Sequence, residues 1–427
     1  MPEKEIVAIF NASVSAVLPE NAIKNSLSVN GHILSIDGQR YDLEPYQNGC
    51  LFGVGKASMD MAKQTEELVG PFVTHGFVVG TEKRELTKVD GFISDHPVPS
   101  KRSVEAGREL KKRMQSLSRE EFFIFLLSGG ASSLVEIPKK GVTLSDMQNT
   151  TKALLASGAD ITQVNMIRKS LSDLKGGELA GGIKANGVVV VISDVVTGEI
   201  EAIGSAPMFH GNLPTQRDIK TIIDHYGLRD RVSETVLEVI EQYEPREKKR
   251  AFPHHIIVDN GTAMDAGRKE AARLGYTTIA APFQLRGEAA DMAEKVAAYA
   301  VDLQKKNANG KICVLMGGET TVTLKGDGTG GRNQEFVLAM MKELKGKKGI
   351  AYFCGGTDGI DGNSRYAGAF GSWQIYERAV QKNLDINSYL KTNDSTTFFE
   401  KAGGVLETGY TGTNVADIGI LIIDATC

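Results

Sequence analysis

Two cations set in glycine-rich turns are the residues whose types and spacing point most directly to chemistry. Lys56 follows Gly53 and Gly55 in GVGKAS, and Arg332 follows glycines 326, 328, 330 and 331 in GDGTGGRNQEF. Each opens a stretch with helical periodicity, where a positive side chain opposes the helix dipole. That placement does nothing for the helix but suits a bound phosphate or carboxylate, which arginine can grip through two parallel N–H donors. A third turn, LLSGGASSL, supplies Ser128, Gly129, Gly130 and Ser132, whose amides and hydroxyls can cradle anionic oxygens. In NMIRKSLSDLKGGELAGG, Asn165 and Arg168 lie three residues apart and share a helical face, with Lys169 and Lys175 following.

Carboxylates recur at the ends of apolar runs. Asp194 follows VVVVI, and Glu319 lies beyond ICVLM in LMGGETTV. Either could hold a metal or act as a base, and either could simply cap a helix. CGGTDGIDGNS carries Asp358 and Asp361 but lacks the further acids and closing glutamate of a calcium loop. Those two could hold Mg²⁺ or substrate hydroxyls, or form a glycine–aspartate turn. Cys354 reads as a buried strand-end thiol, and His96, in SDHPVPS, is the histidine best placed for a site. Familiar motifs do not fit. GVGKAS has Cys50 where a Walker A loop needs its first glycine, and Ser58 where a dinucleotide fingerprint needs glycine or alanine. SGGASSL has Leu126 where a nucleophile elbow needs glycine.

The elements that must position these residues alternate regularly. FFIFLL, VVVVI, HIIV, ICVLM and IAYFC are short, unalternating apolar runs, each followed by a turn and usually by helical periodicity. Buried strands alternating with helices predict an α/β protein with mainly parallel sheets, whose ligands bind beyond the carboxyl ends of the strands. The charged stretch EQYEPREKKRAF, residues 241–252, predicts a boundary that divides the chain into domains 1–244 and 245–427.

Composition mostly excludes. Forty-seven glycines in 427 residues, about 11% against an average near 7%, come with only 12 prolines, which rules out collagen and disorder. A net charge of −4 gives no general attraction to nucleic acid or to an anionic membrane. The four cysteines form no CxxC pair, so neither a zinc site nor a disulfide framework is expected, consistent with a reducing cytosol and a cytoplasmic location. MPEKEIVAIFNASVSAVL reads as an amphipathic helix and not as a signal peptide.

Taken in order, GVGKAS, HPVP, SGGASSL, RKSLSDLKGGELA, ISDVV, GGETTV, GGRNQE, GTDGIDG and TGTNVAD resemble the glycerate 2-kinase family across essentially the whole chain. The resemblance implies a Rossmann-like N-terminal domain, a C-terminal MOFRL domain and an interdomain cleft. It also implies phosphorylation of D-glycerate to 2-phospho-D-glycerate, with ATP and Mg²⁺ as cofactors. The family's catalytic lysine and arginine then fall on Lys56 and Arg332, and Asp194 is read as a third catalytic residue, with Asp194 or Asp358 accepting the hydroxyl proton. Gly53, Gly55, Ser128, Gly129, Gly130, Ser132, Asn165, Arg168, Glu319, Asn333, Asp358 and Asp361 bind nucleotide or substrate, and Asp194 and Glu319 hold the metal. The implied partners are a small hydroxy acid and a nucleotide, and self-association into a homo-oligomer is compatible with the reading. Two motifs depart from the family. GSAPM, residues 204–208, stands where GSGPT is usual, and NSRYAGAF follows GTDGIDG where small residues with a proline or threonine are usual. Two other classes stay open: an NAD(P)-dependent hydroxypyruvate reductase, for which no dinucleotide fingerprint is present, and a non-catalytic protein that binds a sugar acid.

Overall fold

The computed structural model describes residues 3–195, 199–211, 213–245, 251–307 and 310–424. The chain forms two compact units, one of residues Ala22–Ile257 and one that joins Met1–Asn21 to Val258–Cys427. The boundary therefore differs from the expected 244/245 in two respects. The first unit continues through the charged stretch (of which 246–250 lie outside the described residues), because a strand at 254–258 belongs to its sheet. The second unit recruits the N-terminal helix Glu3–Ala16, whose Ile6, Ile9 and Phe10 are buried. Phe10 packs edge-on to Phe353 at 4.9 Å. Gly267, on the helix Asn260–Arg273, admits the close approach of the N-terminal helix, since a Cβ there would lie 2.4 Å from the Ser13 hydroxyl.

Six strands make the main sheet of the first unit: β1 (Asn48–Val54), β2 (Val73–Gly80), β3 (Asp90–Ile93), β4 (Glu121–Leu127), β5 (Asn186–Ile192) and β6 (His254–Val258). Their order is β3-β2-β1-β4-β5-β6, and β1/β2, β1/β4, β2/β3 and β4/β5 pair in parallel. This is the doubly wound order, whose direction of winding reverses between β1 and β4. Phe122–Leu127 and Val188–Ile192 are all buried, as strands covered by helices on both faces must be. The helix Lys101–Ser116 covers one face, and its N-terminus is fixed by a Ser100/Ser103 capping box.

Two features of this unit are absent from the sequence reading. Leu27–Asn30, Ile33–Ile36 and Gln39–Asp42 form a small antiparallel meander. Its second turn has Asp37 and Gly38 both at positive φ, the conformation that favours Asp-Gly in tight hairpins. Helices Leu144–Ala156, Ile161–Ser170, Gln216–His225 and Glu234–Glu241 enclose a second apolar core around Leu154, Ile167, Ile219 and Val236.

The second unit corrects the expectation of mainly parallel sheets. Its strands are β7 (Thr277–Ala280), β8 (Leu285–Glu288), β9 (Lys311–Thr321), β10 (Ile350–Gly356), β11 (Gly368–Ser372), β12 (Val405–Leu406) and β13 (Asp417–Asp424). The order is β7-β9-β13-β10-β11-β12, with β8 also on β9. Only β7 and β8 run parallel to β9. The last strand, β13, is inserted antiparallel between β9 and β10. A strand buried on both faces shows the same apolar run in either direction, so patterning cannot reveal its sense. Among the described residues no single helix is long and apolar enough to cross a membrane.

Candidate functional site

The candidate residues fall into two groups, one in each unit. In the first unit they gather at the carboxyl ends of β1 and β4, the point where the winding reverses and where such sheets bind ligands. The GVGKAS and SGGASSL turns are laced together there. Ser128 N–H donates to the Val54 carbonyl at 3.1 Å and Lys56 N–H donates to the Gly129 carbonyl at 2.9 Å. Ala57 N–H donates to the Ser128 hydroxyl at 3.0 Å. Gly55 is required for this approach, because at φ +142° a Cβ would sit 2.1 Å from the Ser128 oxygen. Gly53 is similarly confined, with a Cβ 3.0 Å from Leu126. These two glycines and Ser128 thus hold the loops together, and the GVGKAS amides are mostly consumed in doing so.

The second loop leaves more open. Among the described residues no protein acceptor takes the N–H groups of Gly129, Gly130 or Ala131. Gly130 adopts the left-handed conformation that turns successive amides into an anion-binding concavity. Around it stand Lys56, His96 and Asp194. A Cβ on Gly130 would lie 3.0 Å from the His96 ring and 3.1 Å from the Lys56 side chain, and one on Gly129 would lie 2.1 Å from the Asp194 carboxylate. Burial pushes the Asp194 carboxyl above its ordinary range, against the opposing pull of Lys56.

From the short helix Ala131–Leu134 a polar chain leads away. Ser132 and Ser205 hydroxyls are 3.0 Å apart, Ser205 donates to Asn165 Oδ1 at 3.1 Å, and Arg168 donates to the Ser132 carbonyl at 3.3 Å. The structure therefore brings together Ser132, Asn165 and Arg168 and adds Ser205 to them. Burial lowers the Arg168 guanidinium below its ordinary value, opposed by Glu136. Lys175 is not on this helix, which ends at Ser170. It is fully buried against Glu136, whose other oxygen accepts from Ser172 at 2.5 Å. Burial brings this lysine down to about 8 although Glu136 opposes the shift.

The GSAPM departure has a direct structural expression. Ser205 and Ala206 both lie at positive φ, +60° and +56°, and the Gly177 N–H donates to the Ala206 carbonyl at 2.7 Å. An alanine occupies a backbone conformation that glycine fits without penalty. Met208 turns away into the apolar core and is wholly buried. In the other departing segment, Ser364 accepts from Gln334 at 2.7 Å and Tyr366 donates to Glu400 at 2.9 Å.

In the second unit Arg332 is clamped. Its Nε and Nη2 donate to Asp417 at 2.5 and 2.8 Å, and Nη1 lies 3.1 Å from Glu319. Asp417 is 1% exposed, whereas the arginine side chain retains 30% and Glu319 53%. Burial opposes the guanidinium charge, but Asp417, Glu319 and Asp361 outweigh it and hold the group above its ordinary value. Asp417 carried no role in the sequence reading. Asp358, half-buried, accepts from the Ile360 N–H at 3.1 Å. It sits with Asp417 near Gly356, where a Cβ would be 3.1 Å from one carboxylate and 3.5 Å from the other.

Asp361 and Asn333 have structural occupations. Asp361 is buried and accepts the N–H groups of Asn333 and Gln334 at 3.0 and 2.8 Å, capping the helix Arg332–Leu344 from a separate loop. It also accepts from both side-chain amides, at 3.2 and 3.1 Å. Burial raises its carboxyl to about 6 despite these donors. Gly331 makes room for it, since a Cβ there would lie 2.3 Å from the carboxylate. Cys354 donates to Asn333 Oδ1 at 2.9 Å, and burial lifts its thiol well above its ordinary value, which disfavours the thiolate that nucleophilic attack requires. A cavity of about 900 Å³ lies elsewhere, between the helix Lys101–Ser116 and the turn at 138–144.

An α/β chain with a doubly wound parallel sheet, a mixed second sheet and anion-suited turns in both is the class that the geometry defines. Residues 5–241 match the family described as a domain of unknown function, DUF4147, and residues 312–417 match the MOFRL family. The chain is 33% identical to D-glycerate 2-kinase of Thermotoga maritima over 99% of this chain and 98% of that protein. It is 31% identical to glycerate 2-kinase of Pyrococcus horikoshii, over 97% and 96%. The crystal structure of the Thermotoga maritima glycerate kinase superposes with a TM-score of 0.84 at 32% identity, covering 98% of this chain and 99% of that one. The chain belongs to the glycerate kinase family.

Proposed function

We propose that this protein is a glycerate 2-kinase, transferring the γ-phosphoryl group of ATP to the 2-hydroxyl of D-glycerate. The observation that carries the reading is the set of open amides at Gly129–Ala131 beside Lys56, at the reversal point of a doubly wound sheet. The end-to-end similarity to named glycerate 2-kinases supports it. In this reading those amides and Lys56 hold the anionic oxygens, and Arg332, oriented by Asp417, stabilises charge that develops on the transferring phosphoryl group. Ser132, Asn165 and Arg168 fix the acceptor.

Asp194, with its raised carboxyl beside Lys56, suits acceptance of the hydroxyl proton, a role that Asp358 could also fill. Mg²⁺ takes oxygen ligands and keeps several waters, and Asp194 in the first unit and Glu319 in the second are each a carboxylate with solvent access that suits it. A Mg²⁺ ion held by such carboxylates would supply neutralisation of the nucleotide's phosphate charge. Glycine loops without a dinucleotide fingerprint weigh against hydride transfer.

Two parallel assays test the reading: ADP release with D-glycerate, and NADH oxidation with hydroxypyruvate. Glycerate-dependent ADP release is expected. NADH loss without ADP release would replace the kinase by a reductase, and silence in both would leave a binding protein or a different acid.

A further inference from the structure

At the opposite, amino-terminal edge of the parallel sheet, three adjacent strands place Cys50, His75 and Glu121 together. Cys50 Sγ is 3.5 Å from His75 Nε2 and 3.4 Å from Glu121 Oε1, and the last two atoms are 3.4 Å apart. Zinc bonds of about 2.3 Å to sulfur and 2.0–2.2 Å to nitrogen and oxygen, at tetrahedral angles, put nitrogen and oxygen roughly 3.3–3.5 Å apart and sulfur roughly 3.5–3.7 Å from either. The His75–Glu121 and Cys50–His75 separations fall in those ranges, and the Cys50–Glu121 separation lies about 0.1 Å below its own.

The surrounding contacts aim the donors. Thr74 Oγ1 lies 3.0 Å from His75 Nδ1, leaving Nε2 to face the cysteine. Ser118 N–H donates to Glu121 Oε2 at 2.7 Å, leaving Oε1 to face it as well. Metal-bound histidines and carboxylates are held by outer partners in this manner. The His75 side chain is 51% exposed, so the trio has a route to solvent although Cys50 is buried.

We propose that Cys50, His75 and Glu121 bind one divalent transition-metal ion of the zinc class, with water in the fourth position. Sulfur and imidazole donors select against Mg²⁺ and Ca²⁺, which require oxygen. On binding, the Cys50 S–H bond breaks, its proton passes to solvent, and the sulfur electron pair enters the metal–sulfur bond. His75 binds as neutral imidazole and Glu121 as carboxylate, so one proton leaves per ion. Cys50 precedes Val54 by four residues, about 13 Å along the strand from the anion loops. The ion therefore ties three strand starts together and raises stability, and it stands apart from the phosphoryl-transfer reading.

The test is a Co²⁺ titration of the full chain, stripped with chelator and kept in excess Mg²⁺, beside Cys50→Ser and His75→Ala. Expected are one equivalent of Co²⁺, a thiolate-to-cobalt charge-transfer band, one proton released, a raised Tm and displacement by Zn²⁺. Cys50→Ser should lose the band. His75→Ala, which keeps every thiol and alters a half-exposed position, should bind more than roughly 100-fold more weakly, since outer-shell changes alone cost 10–100-fold. Absence of the band in the wild-type chain, or equal affinity in His75→Ala, would overturn the proposal. The second comparison stands even if Cys50→Ser does not fold.

Discussion

The two groups of candidate residues manage charge in opposite ways. In the first unit the cation stands beside open backbone amides, and the glycines exist so that two loops can touch. In the second the cation is clamped by two carboxylates, and the glycine at 331 exists to admit a third to the helix start. The lesson is that a similar sequence signal, glycines before a cation at a helix start, covers two physical solutions. One keeps binding capacity in the backbone; the other keeps a guanidinium oriented at the expense of a buried charge network. Activity and stability should therefore separate on loss of the cation in the first group and move together on its loss in the second.

The largest expected effects test that separation directly. Arg332→Ala should lower kcat/KM by roughly 10²–10³-fold and also destabilise by about 3 kcal/mol, because Asp417 is left buried without its partner. Lys56→Ala should lose activity to a similar degree with a smaller fall in its urea midpoint, because the substitution keeps the backbone bonds from Lys56 N–H to Gly129 and from Ala57 N–H to Ser128 that hold the turn. A loss of stability in Lys56→Ala as large as in Arg332→Ala, or none in Arg332→Ala, would break the comparison. Next comes Gly55→Ala, whose Cβ meets the Ser128 hydroxyl. A loss of roughly 3 kcal/mol in chemical denaturation is expected, with activity falling as the loops part.

Asp361 gives a smaller, pH-dependent effect. Its folded pKa of about 6 lies above the ordinary carboxyl value. Its stabilising contribution is thus complete below the ordinary value and is lost as pH rises through about 6. Relative to Asp361→Asn, the wild-type chain should lose on the order of 2 kcal/mol between pH 4 and pH 7. A pH-independent difference between the two would show that the carboxyl does not titrate in this window. The smallest effect is expected of Ala206→Gly. Relief of a left-handed alanine should add about 0.5–1 kcal/mol, read as a small rise in Tm.

How much was legible in the sequence follows from what each signal encodes. Buried strands, their turns and the two cations were readable because apolar runs and dipole-opposing charges are local properties. The sense of β13 was not, and its loss hid Asp417. An acid at the start of a strand is remote from a site only if all strands run parallel. With β13 reversed, Asp417 pairs with Gly318 and Gly356 at the carboxyl ends of β9 and β10. Cys50, His75 and Glu121 were hidden for a related reason: separations of 25 and 46 positions become adjacent only through strand order. Asp361 was visible as an acid in a turn, but its occupation as a helix cap depends on a loop 27 residues away from Gln334.

The N-terminal helix carries a consequence for synthesis. Glu3–Ala16 packs against Asn260–Arg273, Glu5 accepts from the Tyr276 hydroxyl, and Thr413 donates to the Val17 carbonyl at 2.6 Å. Its partners emerge from the ribosome only after more than 230 further residues, on the order of tens of seconds at about 5–20 residues per second. The segment made early is thus seated late. Throughout that interval Ile6, Ile9 and Phe10 form an uncovered apolar stripe on the nascent chain, one that a chaperone holding the N-terminus would shield.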